Sequence, residues 1–345
     1  MNLKSSEEEI MHEHNKILSI VIPAYNISKY MDECLPYILN IRNLKKVEIL
    51  IINDGSTDDT LNIASIYQKK FSDAVKVIDK ENGGHGSVLN RGIEEATGKY
   101  FKVIDGDDWV KTNNLDRLIG ELENTDADLV VNTNIIHNIK NGKEAITNMP
   151  SVNFGNAISF EEYGKKWNKL VPIHCITYKT SLLKENSIKF QENCFYEDIE
   201  YDLYPMQYVE NVKVLDYPVY VYRVGNANQS VNKKNIVRNA EMMKTILWNL
   251  INYYQSLEKI EEYKRKYIED VILKFITSNY GVFLKMDYGK SARDNMKKFD
   301  LELMKKSGFF YEKADMLTRK IRKNNWLTYT FFYVAYNLKV WKRGF

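Results

Sequence analysis

An α/β fold with a mostly parallel central sheet flanked by helices is what this sequence predicts, on three observations. Short apolar runs alternate with amphipathic segments through the first 135 or so residues. The runs are apolar nearly throughout, as strands buried on both faces are. Two of them end abruptly in carboxylates, Asp54 and the Asp105-Gly106-Asp107-Asp108 group. Strands of an open α/β sheet present their ligand sites at that carboxyl edge.

The first strand is expected over residues 17–22. Pro23 ends it, because proline cannot donate to a ladder, and Tyr25 is left at the edge. Residues 30–39 then have helical spacing. A second run, 47–52, ends in Asn53-Asp54-Gly55-Ser56. That is a carboxylate, a glycine for the turn and small side chains opening a helix over 60–70, with Thr57 or Asp58 as its N-cap. The third strand, 75–78, leads into Glu81-Asn82-Gly83-Gly84-His85-Gly86 and a helix over 88–96. A glycine loop entering a helix offers free N–H groups and a positive dipole end, suited to phosphate or ribose oxygens. The fourth strand, 100–104, delivers the acidic group. A helix over 115–123, with Asn113 as N-cap, and a strand over 129–132 follow. This alternation builds βαβ units. Carboxylates so closely spaced repel one another unless donors or a cation hold them, and a divalent ion is the natural partner.

After residue 135 the pattern loosens. Gly142, Pro150 and Gly155 punctuate a looping stretch before a helical segment over 160–170. A strand over 175–178, a short helix over 197–204 ending before Pro205, and a last strand over 219–223 are expected. Beyond Asn226 the chain reads as helical and Lys-rich. The organisation is a flexible N-terminus (1–16), an α/β domain (17–230) and a helical C-terminal region (231–345).

At 345 residues the chain can bury a core without staples. A net charge of +3 gives no case for nucleic-acid binding. Cys34, Cys175 and Cys194 are odd in number and far apart, which suits a reducing, cytoplasmic compartment. Residues 1–16 have no apolar core of a signal peptide, and no apolar run is long enough to span a bilayer.

Pro23-Ala24-Tyr25-Asn26, then Asn53-Asp54-Gly55-Ser56-Thr57-Asp58, then Asp105-Gly106-Asp107-Asp108 come in an order and spacing that resembles the family 2 glycosyltransferases. The resemblance covers roughly residues 18–230. It implies a GT-A fold and an inverting, metal-dependent enzyme using a nucleoside-diphosphate sugar, most readily a UDP-sugar. By the family pattern Pro23, Tyr25 and Asp54 flank the nucleotide base, with Asp54 on uracil. Asp107 is the main ligand of Mn²⁺ or Mg²⁺, Asp105 lies toward ribose or supports the ion, and Asp108 anchors the loop. In the glycine loop Asn82, Gly84, Asn90 and Gly92 fit. Gly86 replaces the family's serine and Leu89 its arginine, which leaves His85 or Arg91 to supply a cation to the donor.

Phe195-Tyr196-Glu197-Asp198-Ile199 resembles the family's Glu-Asp pair opening a helix near the acceptor, which implies Asp198 as general base supported by Glu197. The helix dipole would favour an ionised Asp198. Tyr222-Arg223 and the loop to Ser230 resemble the strand and flexible loop that close over the donor. Arg223 would pair with diphosphate or Glu197, and Ser230 would touch phosphate. His174 is read as a packed or surface residue near the acceptor.

Residues 231–345 lie outside the resemblance. Residues 246–251 and 267–284 have helical apolar spacing. The aromatic stretch 326–336 is flanked by Arg319, Lys320, Arg322, Lys323, Lys339, Lys342 and Arg343. It reads either as an interfacial helix on an anionic membrane or as a segment packed on the protein's own core. The first reading would put the enzyme at the inner face of the cell membrane, acting on a saccharide or lipid-linked acceptor for cell-envelope polysaccharide or glycolipid. Two rivals stand beside a sugar transferase: a nucleotidyltransferase, or an inactive sugar-nucleotide-binding scaffold. The first expects a Gly-rich basic loop after strand one, where Pro23-Ala24-Tyr25-Asn26 stands instead.

Overall fold

The computed structural model describes residues 16–147, 152, 154–167, 169–225, 233–286, 290–314, 316–322 and 328–342. The chain divides into two compact units, Met1–Asn226 and Ala227–Phe345. Apart from Lys16, the N-terminal segment expected to be flexible lies outside the described residues.

In the first unit the strands are β1 (Leu18–Ala24), β2 (Val47–Asp54), β3 (Val75–Lys80), β4 (Tyr100–Val103), β5 (Trp109–Val110), β6 (Leu129–Asn138), β7 (Glu144–Ile146), β8 (Ala157–Ser159), β9 (Ile176–Lys179) and β10 (Asn211–Val224). They form one sheet in the order β3-β2-β1-β4-β9-β6-β10-β5, with β7 on β6 and β8 on β10. The run β3-β2-β1-β4 is parallel, as apolar strands linked by helices require. Beyond it the sheet is mixed: β9 lies antiparallel between β4 and β6, whereas β6 and β10 are parallel. Ala24 lies opposite Asn53, and Asn53 opposite Asp79, so the carboxyl ends are level. Ile104 N donates to Val21 O at 3.0 Å, and Asp105 therefore emerges at the same edge.

Helices α1 (Ser28–Leu39), α2 (Thr60–Lys70), α3 (His85–Glu95), α4 (Thr112–Glu123), α5 (Phe160–Lys166), α6 (Thr180–Glu185) and α7 (Asp198–Leu203) accompany the sheet. Helical spacing decides which face is buried. Met31, Leu35, Ile38 and Leu39 of α1, and Leu115, Leu118, Ile119 and Leu122 of α4, enter one core with Ile20, Ile22, Ile49 and Ile51.

The caps differ from expectation. Lys111 holds the N-cap position of α4, with Asn113 inside the helix, because Asn114 Nδ2 reaches Pro218 O at 2.6 Å and fixes the turn. Asp59 holds that of α2, though Asp58 Oδ1 still accepts from Thr60 N at 3.0 Å. Strand β10 begins at Asn211, eight residues before its expected start at 219. Asp216 and Pro218 read as a loop, yet the register shift beside β6 falls at Pro218, which a bulge accommodates. Its second half carries Tyr220 opposite Val110 and Val221 opposite Trp109, under the acidic turn.

The described elements of the second unit are all helices: α8 (Lys233–Arg238), α9 (Ala240–Ser256), α10 (Glu262–Lys285), α11 (Lys290–Lys306), α12 (Gly308–Lys313), α13 (Met316–Arg322) and α14 (Tyr329–Lys342). Its core joins Ile246, Leu247 and Leu250 to Ile268, Ile272, Phe275, Met296 and Phe299. Among the described residues no helix is long and apolar enough to cross a membrane.

Candidate active site

The site is assembled at the carboxyl edge from four loops that hydrogen-bond to one another. Asn26 takes a left-handed conformation (φ 52°), and its Oδ1 accepts from Thr57 N at 2.8 Å. Its own N–H donates to Ser56 Oγ at 3.0 Å, so the β1 and β2 loops are tied and Tyr25 stands exposed beside them. Asp54 is 3% exposed. Its Oδ1 accepts from Gly83 N at 2.9 Å and Lys80 Nζ at 2.7 Å, and its Oδ2 from Gly84 N at 2.9 Å. Asn82 Nδ2 adds a bond to Asp54 O at 2.8 Å. Asp54 is thus the anchor of the glycine loop, with one acceptor position left on Oδ2.

The acidic turn is packed as tightly. A Cβ at Gly106 would lie 2.2 Å from the movable Ile27 Cδ1 and 3.0 Å from Pro23 O, so a larger residue between Asp105 and Asp107 is crowded there. Tyr220 Oη lies 3.0 Å from Asp105 Oδ2 and makes a short hydrogen bond with Asp108 Oδ2. Arg223 N donates to Asp108 Oδ1 at 2.8 Å. Burial, then the charges of Asp105 and Asp107, push the Asp108 carboxyl up to about 8. Burial also works against an ionised Asp105, but the neighbouring His85 imidazole, 3.5 Å away, outweighs it and holds that carboxyl below its usual range. Asp107 moves the other way: burial and the Asp105 charge raise it.

His85, the first residue of α3, joins the two halves of the site. Its Nδ1 lies 2.6 Å from Glu197 Oε1 and its Nε2 3.5 Å from Asp105 Oδ1. Burial would discharge the imidazole, but the two carboxylates outweigh it and keep His85 well above its ordinary range, protonated. Glu197 is buried, and its Oε2 has no hydrogen-bond partner among the described residues. Tyr196 just before it has φ 74°, a strained conformation for a bulky residue, held because the segment is pinned at several points. Asn193 N reaches Gly83 O at 2.6 Å, Gln191 N reaches Glu200 Oε2 at 2.7 Å, and Asn90 brackets Phe190 through N–H and C=O at 2.9 and 3.0 Å. A Cβ at Gly86 would lie 2.1 Å from Gln191 O. That contact is why glycine stands where serine was expected. Asp198 reaches solvent but is walled by protein; desolvation and the Glu197 charge push its carboxyl up to about 6, against the relief offered by His85.

Comparison with known proteins places part of the first unit in a family. Residues 19–186 match the family model "Glycosyl transferase family 2". These residues form a family 2 glycosyltransferase domain. The uncharacterized glycosyltransferase EpsJ of Bacillus subtilis (strain 168) is 30% identical over 215 residues, which are 60% of this chain and 61% of that protein. The crystal structure of S. aureus TarS 1–349 in complex with UDP-GlcNAc superposes with a TM-score of 0.60 at 19% identity, covering 88% of this chain and 92% of that one. The mannosyltransferase PcManGT from Pyrobaculum calidifontis, in complex with GDP-Man and Mn²⁺, gives 0.53 at 14% identity, covering 93% and 86%. The sheet flanked by helices is the GT-A arrangement, followed by C-terminal helices.

Within this domain several side chains singled out from sequence make other contacts than those expected. Arg91 is exposed and paired with Glu95 at 2.6 Å on its own helix, one turn away. The cations at the loops of the site are Lys80, on Asp54, and His85, on Glu197. Asn90 is spent on the Phe190 backbone and Glu192 Oε1. Arg223 pairs with Glu33 at 2.9 Å rather than with Glu197. Its Nε donates to Asp107 O at 2.8 Å, and its guanidinium lies 4.7 Å over the Trp109 ring, so it braces the acidic turn. Pro23 O faces Gly106 at the turn. Ser230 lies outside the described residues. The helix dipole does not dominate at Asp198, whose carboxyl moves up rather than down, because α7 has only 6 residues and Glu197 adds like charge.

Tyr220, Glu33 and Lys102 were not foreseen. Lys102 is fully buried beneath the site, and its Nζ donates to His174 O at 2.8 Å. His174 is packed: buried, stacked on Tyr220 at 4.2 Å, and pushed down to about 4 by desolvation. A Lys in an otherwise apolar strand, three residues before the first acid of the turn, is the one sequence signal that pointed to this layer.

Among the described residues no three His, Cys, Asp or Glu side chains converge into a closed metal site. The donor chemistry fits an open one. Asp107 offers half-buried hard oxygens whose charge is repelled by Asp105, and Mg²⁺ or Mn²⁺ commonly takes one or two carboxylates and completes its shell with water and phosphate. Asp105 is less free, with Tyr220 on one oxygen and His85 near the other.

Proposed function

We propose that this glycosyltransferase moves a sugar from a nucleoside-diphosphate donor, a UDP-sugar first, to an acceptor hydroxyl with inversion at the anomeric carbon. The observation that carries this reading is the His85 bridge from Asp105 to Glu197, which ties the donor-side acid to the element bearing Asp198. In one displacement the acceptor oxygen attacks the anomeric carbon and its proton passes to the Asp198 carboxylate. The bond to the diphosphate breaks, and the nucleoside diphosphate leaves with that electron pair. A carboxylate near pKa 6 is still ionised at neutral pH and is more basic than a free one, as a general base should be. Glu197 and His85 hold the base's neighbourhood. Tyr25 and the Asp54-anchored loop form the nucleotide shelf, and the α3 N-terminus faces the phosphates. Asp107, helped by Asp105, would hold Mn²⁺ or Mg²⁺, whose chemistry when bound is to neutralise the departing diphosphate.

The named ligands of TarS and PcManGT support a nucleotide-sugar donor, and the first supports UDP. Cell-envelope polysaccharide or glycolipid is the acceptor class we assign. Release of nucleoside diphosphate from a panel of sugar nucleotides, with and without Mn²⁺, tests the reading. UDP release from one or two UDP-sugars only with metal is expected. Pyrophosphate release, or binding with no turnover on any donor–acceptor pair, overturns it.

A further inference from the structure

The last helix of the chain is two-faced. Along α14, Tyr329 is buried, Tyr333 Oη donates to Met286 O at 3.0 Å, and Asn337 Nδ2 donates to Leu284 O at 3.1 Å. These positions share one side of the helix, docked on the end of α10. Phe331, Val334 and Leu338 fall on the opposite side, at intervals of three and four, and are 70%, 50% and 53% exposed. A folded protein seldom leaves such a stripe bare without a partner for it.

Charge says which partner. Residues 316–345 hold seven Lys and Arg and no Asp or Glu, while the rest of the chain holds 42 against 46 and is net −4. The positive charge of the whole molecule is therefore gathered at this end. Arg322 is neutralised by Asp300 at 2.6 Å, but Arg319 and Lys320 are exposed, and the sequence adds Lys323, Lys339, Lys342 and Arg343. A nucleic acid would match the charge but not the apolar stripe. An apolar stripe with cations at both ends matches an anionic bilayer surface, where side chains enter the acyl boundary and the cations meet headgroups.

We infer that α14 docks the protein peripherally on an anionic membrane surface, with Phe331, Val334 and Leu338 inserted and Arg319 and Lys320 on the headgroups. Both readings of this segment then hold together: one face packs on the protein and the opposite one meets lipid. The inference stands independently of the donor and acceptor assigned above.

Flotation of the full chain with phosphatidylcholine vesicles, with and without phosphatidylglycerol, tests it. Capture by the anionic vesicles, little by the neutral ones, and loss on raising the salt are expected. The triple variant Phe331→Ser, Val334→Ser, Leu338→Ser changes only exposed positions, so its melting temperature should be unchanged while binding weakens roughly a hundredfold. Arg319→Glu with Lys320→Glu should weaken it roughly fivefold for each cation removed, without touching the helix core. Failure of the wild-type chain to float with anionic vesicles, or equal flotation by the serine variant, overturns the proposal. So does a wild-type dimer that the serine variant dissociates while neither binds vesicles, since the stripe would then be a contact between copies.

Discussion

Asp198 illustrates how one residue is tuned by its neighbours. Its carboxyl sits near 6 because desolvation and Glu197 both penalise its charge. Below that pH the carboxylate is protonated and cannot accept the acceptor's proton, so turnover should fall tenfold per pH unit on the acid side and level off above about 7. A free aspartate would place that limb about two units lower. Asp198→Asn should retain donor-induced thermal stabilisation but lose about 10²–10⁴-fold in kcat; wild-type turnover by this variant would send the search for the base elsewhere. His85→Ala removes the partner of a buried Glu197 oxygen whose companion already lacks one. We expect a stability loss of roughly 1–3 kcal/mol, read from denaturant midpoints, together with a lower kcat. His85→Gln, which can still donate, should recover part of the stability.

Among the elements, the 190–197 segment and α3 behave as one piece. Gly86 touches Gln191 O, so Gly86→Ser must force them apart although serine is the residue the family pattern expects. The variant should melt lower by about 1–3 kcal/mol and lose activity through displacement of Glu197. Leu118, buried on the inner face of α4, makes the contrasting case. Leu118→Ala should cost about 2–5 kcal/mol in thermal or urea unfolding and leave kcat of the folded fraction nearly intact. Most elements were legible because their signals are local. The periodicity of α1 and α4 and the apolar runs of β1 to β4 need no distant partner to be read. β5, β7, β8 and α6 were missed because each is only two to six residues long, and the first half of β10 because Asp216 and Pro218 mimic a loop. Those strands exist through the neighbours they pair with.

For the whole molecule, binding of donor should report on the first unit as an entity. A UDP-sugar with Mn²⁺ at about a hundredfold its Kd should add about 2.7 kcal/mol of stability, and chelation should abolish both that shift and turnover. No stabilisation by any nucleoside-diphosphate sugar would remove the basis for the donor assignment. From sequence alone, the sheet, its carboxyl edge and the chemistry delivered there were determined, since strand-ending acids, a glycine loop and a Glu-Asp pair are patterns of adjacent residues. Partnership was decided only by the fold. Arg91 and Arg223 both looked free to meet a diphosphate, yet one is paired along its own helix and the other, across 190 residues, holds Glu33 and the acidic turn. His85 looked like one weak cation in a glycine loop and is the link between two carboxylates 92 residues apart in the chain, Asp105 and Glu197. Local pattern carries residue type and element, because both depend on near neighbours. Which charge meets which depends on contacts between distant segments, and those exist only once the chain has folded.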